Sequence, residues 1–193
     1  GISGALPRDD HRHGIIHDCL PTPEGIAVCR DYHIQMPMQS AFIGWKQEPD
    51  DYLERILGHD RLEKLNPIRT FRDNNIVVSF GSDAPCTTPD PIAWMDRAVN
   101  NDNAGQAVSV QDALRMCTYN GAWAAFDEQE RGSLEAGKIA DMAVLSENPY
   151  TVPKDKLSGL RVERLYLSGK SYESFRESIL PMMLRGLTSR NKA

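Results

Sequence analysis

The sequence predicts an α/β fold organised on a parallel sheet, and three features carry that prediction. Short runs rich in Val, Ile and Met alternate with segments that carry helix caps. The clearest run, Ile76-Val77-Val78-Ser79-Phe80, is too short for a helix, β-branched and bounded by turn residues, as a buried parallel strand is. It ends in Gly81-Ser82-Asp83, leaving a carboxylate just past the C-terminal end of a strand, where α/β folds place ligands and catalytic groups.

The elements follow in order. Gly14, Ile15 and Ile16 form a short strand with His17 at its end. Thr22 is a fitting N-cap and Pro23 a fitting first helical residue for a helix running to about residue 30 or 32. Residues 33–39 form a second strand, in which Pro37 marks a strand end or bulge. Helices are expected over 49–57 and 67–73, and Asn74-Asn75 turns the chain into the 76–80 strand. A Pro-rich loop from Pro85 to Pro91 leads to a helix over 92–99. Ser109 caps the next helix, with Asp112 at the capping-box position. That helix runs to about Tyr119, and another follows Asn120-Gly121 to about Phe126. From Arg131 the character changes: a turn-rich linker, a strand over 142–145, and an alternating strand over 162–167 with Gly169-Lys170 as its turn. The tail from Tyr172 has apolar residues at helical spacing. The expected division is 8–130 for the sheet-and-helix body, 131–171 for a small β element and 172–193 for a C-terminal helix or tail.

Composition narrows the function classes. At 193 residues the chain fits one domain with a small appendage, and 40% hydrophobic residues suffice for a core. A net charge of −5, with no basic run beyond isolated pairs, argues against a nucleic-acid partner. No stretch approaches the ~20 apolar residues of a membrane span, and the start lacks a secretory signal, so no membrane partner and a cytoplasmic location are expected. Cys19, Cys29, Cys86 and Cys117 contain no C-x-x-C pair, so neither a disulfide scaffold nor a Cys-pair zinc site is supported. An initial Gly1 without Met suggests a processed or truncated chain, with residues 1–4 a linker or a cloning remnant.

A carboxylate at a strand end is costly to desolvate unless a metal or a proton pairs it. Asp83 is therefore either a site group or a loop cap, and His17 either a ligand or a satisfied loop histidine. Gln39, ending the middle strand, either faces a substrate or merely terminates the strand. His33 begins a strand at the surface, and His59 ends a helix or lies in a loop. Cys19 and Cys86 follow the two candidate ligands closely and line the site or fill small buried spaces. Asp141 orders the junction between the two units, and Trp45, Trp94 and Trp123 are core or pocket walls.

Three segments together resemble the amidohydrolase superfamily: Ile16-His17, Phe80-Gly81-Ser82-Asp83-Ala84-Pro85, and Gly132-Ser133-Leu134-Glu135-Ala136-Gly137-Lys138-Ile139-Ala140-Asp141-Met142. The similarity is to the amidohydrolase family 3 branch, with its formamide deformylase-like and exoenzyme regulatory protein-like members, and spans about residues 10–169. It implies the C-terminal part, about strands six to eight, of a metal-dependent (β/α)8 barrel, plus part of a small β-sandwich and a C-terminal helix. It implies that His17 is the metal-ligand histidine ending strand six. Asp83 would be the strand-eight aspartate that binds metal and acts as general base. The superfamily's H-x-H pair on strand one, Lys or Glu on strand four and His on strand five would all precede His17. His11 and His13 form an H-x-H but lie too close to His17 to be the strand-one pair.

The implied cofactor is a divalent metal, zinc by donor type, which accepts imidazole and carboxylate and keeps a position open for water. The implied function is hydrolysis of a carbon–nitrogen bond, amide-like and non-peptide, in a small-molecule substrate by metal-activated water. Two ligands hold zinc poorly, so the chain by itself is expected to be inactive. The alternative is a non-catalytic binding or regulatory homologue or domain. A third possibility, a complete doubly wound domain, would call for a glycine-rich phosphate loop that the sequence lacks. Open sheet edges in part of a barrel imply self-association.

Overall fold

A computed structural model describes residues 8 and 10–172. The tail helix expected beyond Tyr172 and the opening residues 1–4 lie outside the described residues. Within them the element order is helix α1 (Pro23–Asp31), strand β1 (Met36–Met38), a 3-10 turn (Ser40–Phe42), helices α2 (Asp50–Leu57), α3 (His59–Leu62) and α4 (Ile68–Asp73), and strand β2 (Val78–Phe80). Helices α5 (Pro91–Val99), α6 (Val110–Cys117) and α7 (Tyr119–Ala124) follow, then strand β3 (Met142–Leu145), a second 3-10 helix (Lys154–Gly159), and strands β4 (Val162–Leu167) and β5 (Lys170–Tyr172).

The parallel arrangement is present. β1 and β2 pair in parallel, with Met36 opposite Val78 and Met38 opposite Phe80. Residues 13–17 lie parallel on the other side of β1: Gln35 N donates to His13 O, Ile15 N to Gln35 O, and His17 N to Pro37 O. Pro37 sits inside β1 rather than at its end or at a bulge. A parallel ladder would have the residue-37 N–H donate to Ile15 O, and proline has none. The defect therefore falls on the neighbouring segment, which keeps an isolated bridge at Gly14 instead of a full strand. The approach is tight there: a Cβ at Gly14 would lie 3.0 Å from Gln35 Cγ and 3.2 Å from Pro37 Cδ, so glycine fits where larger residues would collide.

The caps behave as the sequence implies. Thr22 accepts from Gly25 N, and Ser109 with Asp112 forms a full capping box. Asp90 caps α5 by accepting from Ile92 and Ala93. The break between α6 and α7 falls at Thr118, not at Asn120-Gly121. Thr118 adopts φ −125° and ψ −89°, and its hydroxyl donates back to Leu114 O. Asn120 stays helical because its side-chain amide donates to Val78 O of β2. Three short elements lack sequence signals: the Ser40–Phe42 turn, α3, which follows Gly58 at φ 78°, and the Lys154–Gly159 turn.

Strands β3, β4 and β5 form an antiparallel sheet in that order. The β4–β5 turn lies at Ser168 and Gly169, both at positive φ as in a type I′ hairpin, so Lys170 begins a strand instead of completing the turn. The sequence between β3 and β4 returns to the α/β body. Leu157 and Leu160 are buried in the core that also holds Met36, Met38, Phe71, Val78, Met95 and Ala98, and Asn100 Nδ2 donates to Lys154 O. Among the described residues no helix is long and apolar enough to cross a membrane.

Candidate metal centre

The parallel arrangement puts three chain segments side by side with their C-terminal ends on one edge. His17 ends the first segment, Gln39 follows β1, and Asp83 lies three residues past β2. His17 and Asp83 both take left-handed backbone conformations, at φ 75° and 51°. For an L residue this costs about 1–2 kcal/mol each, and such strain gathers where function sets the backbone.

The side chains converge. His17 Nε2 and Asp83 Oδ2 are 3.8 Å apart, with the two side chains 45% and 43% exposed. That separation is too long for a hydrogen bond, so a nitrogen and a carboxylate oxygen face one another across a gap open to solvent. Behind the imidazole, His17 Nδ1 and Gln39 Oε1 lie 2.6 Å apart, within hydrogen-bond distance. The Phe42 ring stacks on the imidazole at 6.0 Å and is itself flanked by Trp45 at 5.0 Å.

The donor set suits zinc chemically, since imidazole nitrogen and carboxylate oxygen are both accepted ligands. It is also short: among the described residues no group of three or more His, Cys, Asp and Glu could hold a metal ion, whereas a catalytic zinc takes three protein donors. These two side chains fit a metal as part of a coordination sphere.

The other candidates lie elsewhere or are otherwise engaged. His11 and His13 stack on each other at 4.6 Å, and His11 Nε2 pairs with Tyr32 O. They sit towards the other end of the first segment, about 13 Å (His13) and about 20 Å (His11) from His17 at extended-chain spacing. His33 is in the turn after α1, at φ 53°, rather than beginning β1. His59 opens α3 and pairs with Glu54 and Glu63. Burial, with Asp18 and Glu48 nearby, pushes the Cys19 thiol up to about 11, which keeps it protonated and a poor ligand. Cys86 is exposed and gives its N–H to Asp83 O. Asp141 accepts from Ser168 N and from Arg131. Trp94 Nε1 donates to Thr88 O.

Sequence reasoning passed over Phe42 and Arg12. For Phe42 the available signal was an aromatic residue three positions after a strand end. Arg12, with a side chain only 7% exposed, pairs with both Asp10 and Glu128 and stacks on Trp123 and Phe126 at 4.5 and 4.1 Å. Two cavities of about 320 and 430 Å³ lie towards that end, one lined by His11, Arg12, Gln35 and Val77, the other by Arg72, Asn75, Tyr119 and Asn120. Neither is lined by His17, Gln39 or Asp83.

The amidohydrolase family model matches residues 3–172. Among curated proteins the chain is 36% identical over 132 residues to the N-substituted formamide deformylase of Arthrobacter pascens, covering 65% of this chain and 22% of that protein. It is 27% identical over 124 residues to the putative amidohydrolase YtcJ of Bacillus subtilis, covering 59% of this chain and 23% of that protein. The chain thus spans under a quarter of the length of either relative. Among solved structures, an uncharacterized metal-dependent hydrolase from Pyrococcus furiosus superposes with TM-score 0.63 at 23% identity, covering 72% of this chain and 29% of that one. A zinc-bound adenosine deaminase from Xanthomonas campestris superposes with TM-score 0.60 at 17% identity, covering 93% and 42%. At these identities the structural matches speak to the fold.

Proposed function

The chain belongs to the amidohydrolase family, and on that premise we propose that it supplies the His17 and Asp83 arm of a metal-dependent site hydrolysing a carbon–nitrogen bond in a small molecule. One observation carries the reading: His17 Nε2 and Asp83 Oδ2 face each other across 3.8 Å from the ends of neighbouring segments. The 13–17, β1 and β2 segments then correspond to barrel strands six, seven and eight. The substrate class is an amide such as an N-substituted formamide, by likeness to the Arthrobacter pascens enzyme.

A divalent metal, zinc by donor type, would polarise the scissile carbonyl and lower the pKa of water towards ~7. His17 Nε2 and Asp83 would hold it, with the other donors supplied from beyond these two. Asp83 also acts as general base: it takes a proton from the attacking water as oxygen adds to the carbonyl carbon. As the carbon–nitrogen bond breaks, it delivers that proton to the leaving amine. Half exposure suits this role, since the carboxylate must meet both water and substrate.

A second reading, a non-catalytic binding or regulatory homologue, is favoured by the absence among the described residues of any three-donor group. One experiment separates the two. The natural product of the gene is purified, its zinc content measured, and amine release followed from a panel of N-substituted formamides and other amides. Hydrolysis is expected, and Asp83→Asn should lower turnover by about 10²–10⁴-fold. A zinc-free product with no amidase activity would establish the second reading.

A further inference from the structure

Gln39 is a polar residue in an unusual place for one that meets a substrate. It directly follows β1, yet it is only 6% exposed. Its amide oxygen lies 2.6 Å from His17 Nδ1. The backbone that carries it is pinned from both sides. Gly81 N donates to Met38 O immediately before it. Ser40, fully buried immediately after it, gives its hydroxyl proton to Trp94 O of α5. The 3-10 turn it starts brings the Phe42 ring against the same imidazole. The amide is therefore locked against the ring and not free to swing towards solvent.

We propose that Gln39 is a positioning residue that fixes His17 in the Nδ1–H tautomer and so presents an unprotonated Nε2 towards Asp83. This rests on the reading of His17 as a metal donor. An amide oxygen only accepts hydrogen bonds, so the ring proton belongs on Nδ1. The other nitrogen then keeps its lone pair, and its 3.8 Å separation from Asp83 is what a non-donating nitrogen beside a carboxylate gives. Histidine donors in metal sites are held in this way, with one ring N–H given to an oxygen so that the other nitrogen points correctly. Glutamine suits the task because it accepts the hydrogen bond while adding no charge beside Asp83.

The test reads the tautomer directly. The chain is labelled with ¹⁵N-histidine, and two-bond nitrogen–proton correlations are recorded at a pH where the imidazoles are neutral. Five histidines are present, and His17→Gln assigns the signal of interest. His17 is expected as Nδ1–H in the wild type and in Gln39→Glu, which keeps an acceptor at the same reach. It should shift to the Nε2–H form in Gln39→Met. A wild-type His17 in the Nε2–H form overturns the proposal, and that measurement needs no variant to fold. A folded Gln39→Met that keeps Nδ1–H overturns it as well. Zn²⁺ titration of the natural product separates this proposal from the donor reading. Gln39→Met should weaken Zn²⁺ binding by about 10–100-fold, with Gln39→Glu much closer to the wild type. If His17→Ala leaves Zn²⁺ binding unchanged, the donor reading fails, while the tautomer result still decides what Gln39 does to the ring.

Discussion

The two ends of the same three parallel segments are built on opposite plans. At the C-terminal end, His17 and Asp83 are nearly half exposed and face each other without a hydrogen bond. Towards the N-terminal end, the Arg12 guanidinium is almost wholly enclosed and has more partners than most surface cations. It makes two bonds to Asp10, two to Glu128 and one to the Trp123 carbonyl, with aromatic rings of Trp123 and Phe126 against it. Gln35 adds a bond to the Arg12 carbonyl at 2.6 Å. One end leaves donors unspent, and at the other the Arg12 guanidinium uses all five of its N–H groups. The difference fits a division in which polar groups at one end meet a ligand while those at the other hold helix α7 to the sheet.

The largest expected effect breaks the comparison most cleanly. If the division is right, Asp83→Asn, which should cost at least 10²-fold in turnover, changes the unfolding midpoint hardly at all. Arg12→Met should do the reverse. It removes both ion pairs and the bond to the Trp123 carbonyl, leaving Glu128 enclosed without its cation, so urea unfolding should move clearly to lower denaturant while zinc content stays unchanged. Equal effects of the two substitutions on stability would erase the distinction between the ends.

A smaller effect sharpens it through pH. The Arg12 guanidinium holds the Glu128 and Asp10 carboxyls below their ordinary values of 4.5 and 3.8. A carboxyl depressed in the folded state adds stability that is fully present above its unfolded pKa. That stability is lost as pH falls through the folded value. The wild type should therefore lose stability as pH drops from about 4.5, and Arg12→Met should show a flatter decline over that range. An unchanged slope would mean that the pairs contribute nothing to acid sensitivity.

How much of this was legible in the sequence differs between the two ends in the same way. The order of elements and the caps at Thr22, Ser109 and Asp112 were readable because they depend on neighbours in sequence. So was the placing of His17, Gln39 and Asp83 on one edge, since parallel strands joined by helices align their C-terminal ends. The site geometry within that edge was not readable. Whether Gln39 faces outward or backs the imidazole depends on the turn after Met38 and on Ser40 meeting Trp94, a contact across 54 positions. Arg12 was invisible for a related reason: its partners Trp123, Phe126 and Glu128 lie more than 110 positions away. Pro37 misled in the other direction, because its missing N–H was charged to its own strand when the defect lies in the ladder to residues 13–17.

The smallest effect concerns the strain at Asp83. Replacing a left-handed L residue by glycine relieves about 1–2 kcal/mol of backbone penalty. Glycine also gives back about 0.4–1 kcal/mol by enlarging the conformational freedom of the unfolded chain. The carboxylate contributes little to offset this, since His17 Nε2 stands 3.8 Å away, beyond hydrogen-bond distance, and the bond from Cys86 N uses the Asp83 backbone carbonyl, which glycine retains. Asp83→Gly should therefore leave stability unchanged or raise it by up to about 1.6 kcal/mol in urea unfolding, while removing the proposed base altogether. A residue that weakens the fold slightly by its presence is what a group retained for chemistry looks like. A stability loss above 1 kcal/mol in Asp83→Gly would instead make Asp83 a structural cap for the loop after β2, and would remove the main difference between the two ends.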